Sequence, residues 1–179
     1  MRRWWRFAAT VAGICLVLVA TGAAFYRYRY PYGWSHCCDK QLASTLSLYA
    51  GQNDGWFPRG EATPEASLSL LYKWSPDLVY LLPGKTVPLD AVRERLEGGS
   101  LITPETCGWH YVEGLRVDDD PRLALFWDKI GLGHNGERLP DGGHHVTFIT
   151  GSHEYVTEDE WESFLAEQAR LHAEVKRTE

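Results

Sequence analysis

The sequence predicts an α+β protein, with an N-terminal transmembrane helix and then a head in which helices pack on a small antiparallel β-sheet. Residues 7–25 carry no charge. That length matches a helix that crosses a hydrocarbon core of about 30 Å. Residues 38–98 place apolar side chains at helical spacing, and residues 109–156 hold short β-branched and aromatic runs between Gly, Asp and Pro. Such runs are typical of strands.

The composition limits the classes of function. With 179 residues, 44 % hydrophobic and 13 % aromatic, the chain suffices for one anchor and one packed domain and is not typical of disorder. Residues 1–30 hold five Arg and no acid, so residues 31–179 hold 13 basic against 24 acidic residues, a net charge of −11. Because an acidic domain repels nucleic-acid phosphates, we expect no nucleic-acid partner.

The N-terminal region predicts the location. Three arginines precede the apolar stretch and two follow it, within a belt of tyrosines at residues 26–30. This bias favours a cytoplasmic N-terminus and a retained anchor. The alternative is a cleavable signal peptide with small residues at 21–24. We therefore expect an anchor or uncleaved signal-like segment (1–30), a linker (31–35) and an exported domain (36–179), held at the inner (cytoplasmic) membrane as a single-pass protein with a periplasmic domain.

The cysteines fit an exported protein. Cys15 lies within the apolar segment, whereas Cys37, Cys38 and Cys107 would face an oxidising compartment. One disulfide and one remaining thiol are then expected, and Cys107 can pair with either of the other two. Zinc sites use two Cys separated by two to four residues, a spacing that is absent here. A structural disulfide is therefore favoured over a metal site.

Three helices are predicted between the anchor and the sheet. Pro31 and Gly33 interrupt the helix that leaves the membrane. The next helix carries apolar residues at helical spacing and ends at Gly51. The second of the three helices begins at Thr63, an N-cap residue that is followed by Pro64. The third begins at Pro88 and ends at the paired glycines Gly98-Gly99.

Four strands and a last helix are predicted in the C-terminal half. The strands cover residues 109–112, 123–127, 146–149 and 153–156, and Gly151-Ser152 between the last two is a hairpin signal. Residues 157–160 have the pattern of a capping box, which begins an amphipathic helix. Its apolar face is predicted to contain Trp161, Phe164, Leu165 and Val175.

Three segments resemble a known family. Residues 42–58 resemble the part of bacterial pilin-like and type II secretion pseudopilin-like proteins in which a Leu-rich helix ending in Tyr-Ala precedes Asn-Asp-Gly-aromatic-Phe-Pro. Residues 134–136 and 145–156 are similar to the tail of the prepilin-type H-X9-DG domain, and residues 108–115 resemble that family's strand ending in Gly-Leu. The resemblance covers residues 37–165 and implies a pilin-like head.

The chain also departs from this family. Thr150 stands where the family has Asp, residues 137–144 resemble an insertion, and no prepilin peptidase site is present. The apolar segment lacks the acid that assembling pilins carry, and Pro31 and Gly33 break the helix that is continuous in pilins. These differences predict an unprocessed, membrane-tethered head instead of a polymerising subunit.

An acidic turn is the candidate metal site. We give this name to Asp118, Asp119 and Asp120, whose clustered oxygen ligands are of the kind that Ca²⁺ prefers. The resemblance adds that some pseudopilins bind calcium in a C-terminal loop. The simpler interpretation is a solvated turn before a strand.

Four histidines form a weaker candidate for a metal site. They lie within twenty residues of each other, but a zinc site needs three or four convergent ligands. Adjacent residues of a strand point to opposite faces, so two of the four cannot easily share one ion. The set is His134, His144, His145 and His153.

No catalytic or cofactor-binding residues are predicted. The nucleophile elbow, the His-Glu-x-x-His motif and a phosphate-binding loop are all absent from the sequence. We therefore expect a non-enzymatic interaction or assembly protein, accessory to a secretion or pilus system. Its expected partners are membrane lipid and other envelope or pilin-like proteins, contacted through the anchor and through Trp56-Phe57. The alternative is a periplasmic module that binds calcium.

Overall fold

The computed structural model describes residues 2–34 and 39–175. These residues form a mixed helical and sheet structure, as predicted. Two 3₁₀ helices, Pro76–Leu81 and Pro104–Thr106, join the regular elements. The elements in chain order are α1 (Arg2–Arg29), α2 (Asp39–Gly51), α3 (Pro64–Ser67), α4 (Ser69–Trp74), α5 (Leu89–Glu97), β1 (Trp109–Tyr111), β2 (Ala124–Asp128), β3 (His144–Phe148), β4 (His153–Val156) and α6 (Glu158–Val175).

Helix α1 has the properties of a membrane-spanning helix. Within Arg3–Arg29, the most apolar 18-residue window has a mean hydropathy of 2.1, and none of that window is buried. This length and composition suffice to cross a membrane, a property that signal sequences share. The helix ends at Arg29, and Gly33 adopts a φ of 89° that few other residues tolerate. The predicted break after the anchor is confirmed.

The sheet has four antiparallel strands in the order β1-β2-β3-β4. The predicted strands are confirmed within two residues at each end. Gly151, with a φ of 79°, lies in the hairpin turn between β3 and β4. All five residues of β2 are buried, so this central strand has protein on both of its faces.

Two layers of helix cover the sheet. On one face, α2 contributes Leu42 and Leu46 to the larger core, which also contains Trp109 and Phe126 of the strands. On the other face, α6 packs against a smaller cluster that includes Trp127. Burial of these side chains is the main favourable term in folding, so α2 and α6 are held on opposite sides of the sheet.

The second predicted helix is divided in two. Thr63 is its N-cap, as predicted, since its hydroxyl accepts the Ala66 N–H at 3.1 Å. Around Leu68 the backbone hydrogen bonds join residues three apart, as in a 3₁₀ helix: the Leu68 N–H donates to the Glu65 carbonyl, and the Leu71 N–H donates to the Leu68 carbonyl. This tighter turn separates α3 from α4.

The buried face of α6 differs from the prediction at one position. Leu165 is 39 % exposed, whereas Gln168 and Leu171 are buried. The Gln168 amide accepts the Ala124 N–H at 2.8 Å and donates to the Arg122 carbonyl at 3.0 Å. Buried backbone groups need such partners, and the pairing of β2 with β3 is irregular near Ala124. Apolar periodicity alone therefore selected the wrong residue.

Candidate functional site

The end of α1 is hydrogen-bonded to the loop between β2 and β3. The Arg138 N–H donates to the Arg29 carbonyl at 2.8 Å, and Arg29 Nη1 donates to the Arg138 carbonyl at 2.8 Å. The Arg138 Nε donates to the Tyr28 carbonyl at 3.4 Å, and its guanidinium carbon lies 5.3 Å from the centre of the Tyr28 ring. The head thus provides partners for carbonyls that a helix end leaves unsatisfied.

This β2–β3 loop has its own internal structure. Leu132 and Arg138 form an isolated antiparallel bridge, and the Gly133 N–H donates to the Glu137 carbonyl at 2.7 Å. The loop that contacts the end of α1 is therefore held in shape by its own hydrogen bonds.

A buried ionic cluster joins three distant parts of the head. The Lys85 Nζ lies 2.5 Å from Asp128 Oδ2 and 3.4 Å from Asp39 Oδ2. The side chains of Lys85 and Asp128 are each 1 % exposed. Buried charges are tolerated only when they are paired, so the first residue of α2 is held to the last residue of β2.

The protonation of Asp128 is perturbed. Burial raises the pKa of Asp128 to about 7, and Asp39 raises it too, although the nearby Lys85 lowers it. Asp128 Oδ1 is buried and has no hydrogen-bond partner among the described residues. Perturbed carboxyls often mark functional sites. Here the 1 % exposure of Asp128 and Lys85 closes the pair to a substrate, which favours a structural role.

An open groove of about 720 Å³ lies between α2 and the β3–β4 turn. Leu48, which is 63 % exposed, lies on its helical wall. The hydroxyls of Ser44 and Ser47 donate to carbonyls of their own helix, at 2.9 and 3.0 Å. The groove is lined by Lys40, Ala43, Ser44, Ser47, Leu48, Thr150, Gly151 and His153.

A second groove, of about 530 Å³, lies between β4 and α6. Phe148 and Phe164 form apolar parts of its wall, and Arg122 and Glu167 lie at its edge. These two charged residues are 3.7 Å apart at their nearest nitrogen and oxygen. Both grooves are shallow and open, a form that suits contact with another chain better than enclosure of a small molecule.

The acidic turn does not bring its carboxylates together. Arg116 Nε donates to Asp118 at 3.0 Å, and the Arg116 N–H donates to Asp119 at 2.6 Å. Arg122 donates to both oxygens of Asp120, at 3.0 and 2.6 Å. The hydrogen bond from Arg122 lowers the pKa of Asp120 to about 2. Each carboxylate thus has a protein partner.

The histidines are also dispersed. The His144 ring stacks on Trp161, with ring centres 4.1 Å apart, whereas the His145 ring lies against Tyr155. These two histidines lie on opposite faces of β3, as predicted. Throughout residues 2–34 and 39–175, no group of three or more His, Cys, Asp or Glu residues is placed to hold a metal ion.

The cysteine prediction is only partly within the described residues. Cys107 is buried, its Sγ donates to the Leu82 carbonyl at 3.6 Å, and burial raises the pKa of its thiol to about 12. Cys15 is exposed on α1. Cys37 and Cys38 lie outside the described residues, so a disulfide between one of them and Cys107 stays a prediction.

The predicted contact surface at Trp56-Phe57 is wrong for Phe57, which is fully buried. Trp56 is half-buried between Arg59 and Arg116, whose guanidinium carbons lie 3.3 and 4.9 Å from its ring centre. The Phe57 N–H donates to the Leu115 carbonyl at 3.2 Å. The chain therefore turns inward directly after Trp56, and Phe57 belongs to the core.

Comparison of the chain with models of protein families, with curated proteins and with solved structures gives no match. The pilin-like and type II secretion interpretation thus stays a prediction from the three sequence segments. The mixed fold and the long apolar helix are features of the structure itself.

Proposed function

We propose that this protein is a membrane-tethered, pilin-like envelope protein with a non-enzymatic interaction or assembly role, accessory to a secretion or pilus system. The observation that carries the membrane tether is α1, an apolar helix with no buried residue in its most hydrophobic window, whereas the pilin-like part of the proposal is supported by the resemblance of the three sequence segments. Exposed apolar side chains on this scale are unfavourable in water and need lipid or another apolar helix around them.

Features of the head support a pilin-like arrangement. A helix rich in Leu lies against an antiparallel sheet, with its apolar side chains in the same core as β1 and β2. The Asn-Asp-Gly turn follows that helix, and Asp54 and Gly55 have φ values of 55° and 82°. Such values are favoured by Asn, Asp and Gly, which gives this part of the resemblance a physical reason.

A fixed tether agrees better with the helix geometry than a polymerising subunit. Helix α1 ends at Arg29 and α2 begins at Asp39, so no single helix runs from the membrane into the head. The likeness to pilins thus concerns the head. Interactions in the bilayer would then use the small residues of α1, since close packing of helices in lipid depends on them.

The same helix supports the proposed location. The three arginines before the apolar stretch favour an N-terminus in the cytoplasm. The head, with its net charge of −11 over residues 31–179, would then lie on the periplasmic side of the inner membrane.

Membrane fractionation tests this proposal. We expect the full chain in the membrane pellet after an alkaline carbonate wash, with residues 1–30 retained. Externally added protease should digest the head only after the outer envelope is opened. A matched variant, Val17→Arg, places a charge in the middle of α1, at a residue that is 64 % exposed, and should leave the pellet. A soluble wild-type product that begins near residue 24 would refute the tether.

The calcium-binding alternative has less support from the geometry. Arg116 and Arg122 hold the carboxylates of the acidic turn, so calcium would have to displace them. A comparison of stability with calcium and with a chelator decides this alternative, because a ligand that binds only the folded state stabilises it.

A further inference from the structure

The β2–β3 loop places a basic side chain beside the exit of the anchor. Arg138 is hydrogen-bonded through its main chain and its Nε to the carbonyls of Arg29 and Tyr28. The main-chain part of this contact is reciprocal, since Arg29 Nη1 donates to the Arg138 carbonyl at 2.8 Å. Arg138 therefore lies at the same depth in the bilayer as the last turn of α1.

The depth of that turn in a bilayer follows from helix geometry. Phe25 ends the uncharged stretch, and a rise of about 1.5 Å per residue puts Tyr28 and Arg29 about 4.5 to 6 Å beyond it. A bilayer is about 40–45 Å thick with a hydrocarbon core of about 30 Å, so each headgroup layer is about 5–8 Å deep. Arg138 then lies at the level of the lipid phosphates.

The side chains of Arg29 and Arg138 are not neutralised by nearby acids among the described residues and can therefore bind an anion. Among residues 2–34 and 39–175, no ion pair includes Arg29 or Arg138. The two acids of the β2–β3 loop have other partners: Glu137 accepts the Asn135 N–H at 2.8 Å, and Asp141 accepts the Tyr155 hydroxyl. Both arginine side chains are exposed or half-exposed.

We propose that Arg138, together with Arg29, binds the phosphate groups of membrane lipids and so holds the head in one orientation on the bilayer. Guanidinium groups recognise phosphate through paired, charge-assisted hydrogen bonds. The rest of the head is acidic and is repelled by anionic lipid, so the face that carries Arg138 is the one that turns to the membrane. This inference rests on the proposed tether.

Hydrogen–deuterium exchange of the full chain tests the contact. We compare nanodiscs that contain phosphatidylglycerol, maltoside micelles, and micelles with added inorganic phosphate. A ligand that binds the closed loop slows its opening, and we expect the amides of residues 132–138 to exchange about tenfold more slowly in nanodiscs than in micelles alone. Inorganic phosphate should have little effect, because it is not concentrated at the end of α1.

Matched variants separate the lipid contact from the shielding of the loop by the bilayer. Arg138→Gln keeps the main-chain bonds to Arg29 and should lose the slowing in nanodiscs, and Arg138→Lys should keep part of it. Arg93→Gln, on α5, removes an arginine whose partner is Asp90 of the same helix and should exchange as the wild type does.

Three results would overturn the inference: equal exchange of the wild type in nanodiscs and micelles, full protection of Arg138→Gln, or equal protection by inorganic phosphate. A failure of the tether gives a different result, because the wild-type chain would then not remain in the carbonate-washed membrane.

Discussion

The buried cluster of Lys85, Asp128 and Asp39 makes the stability of the head depend on pH, and Asp128→Asn is the change that reveals it. Burial raises the pKa of Asp128 from 3.8 to about 7. Between these pH values the folded protein binds a proton that the unfolded chain does not bind. The stability from this group is therefore complete below about pH 4 and is lost as the pH rises through 7.

The size of the effect follows from the pKa shift. A pKa difference of one corresponds to about 1.4 kcal/mol, so the rise of the Asp128 pKa from 3.8 to about 7 lowers the free energy of unfolding by about 4 kcal/mol between pH 4 and pH 8. The Asp128 side chain is 1 % exposed, so little screening by solvent reduces this figure. Asparagine resembles the protonated acid and cannot ionise. We therefore expect Asp128→Asn to gain stability relative to the wild type as the pH rises from 4 to 7, by about 4 kcal/mol in all.

Urea unfolding of the full chain in maltoside micelles, followed by tryptophan fluorescence from pH 4.5 to 8.5, measures this difference. Other titrating groups affect both proteins, so the difference between the two curves isolates Asp128. Asp118→Asn is the control, because it removes a carboxyl that is 70 % exposed, and it should keep the wild-type slope. Parallel curves for the wild type and Asp128→Asn would refute the reasoning.

Three further measurements test the core, the polar contact under α6 and the acidic turn. Leu46→Ala should lower the free energy of unfolding by about 2–5 kcal/mol, because Leu46 is fully buried. Leu48→Ala is its control, at about 0.5 kcal/mol or less, and a similar loss for both would contradict the assigned face of α2. Gln168→Leu should cost about 1–3 kcal/mol in the same assay, because the Ala124 N–H loses its partner; no loss would show that the contact is dispensable. The thermal midpoint should be the same with calcium as with a chelator, and a clear rise with calcium would instead establish the calcium alternative.

Local sequence determined most of the secondary structure. Thr63 and Pro64 begin α3, Gly33 lies where the helix is interrupted after α1, and Gly151 lies in the turn of the last hairpin, each as predicted. These signals act within a few residues, through the backbone angles that a residue allows and the hydrogen bonds that its side chain makes to nearby main chain. The apolar stretch predicted α1 for a similar reason, since its length and composition are properties of one segment.

The candidate sites were less predictable, because they combine residues that are distant in the sequence. The acidic turn was predicted as a metal site from three adjacent acids, but Arg116 and Arg122 donate hydrogen bonds to these carboxylates. No sequence signal paired Lys85 with Asp128. The only sequence feature that marked Asp128 was its position as an acid at the end of an otherwise apolar strand. Its partner Lys85 is brought to it by the tertiary fold.

The sequence by itself thus determined an apolar helix long enough to cross a membrane, a break after it and the order of helices and strands in the head. Only the tertiary structure decided that Gln168 faces the sheet in place of Leu165, that Phe57 is in the core and that Arg138 meets the end of α1. The physical reason is the range of the interactions. Backbone preferences are set by near neighbours, whereas a buried charge, an unpaired backbone group or a helix end is satisfied by whichever distant residue the packed chain brings to it.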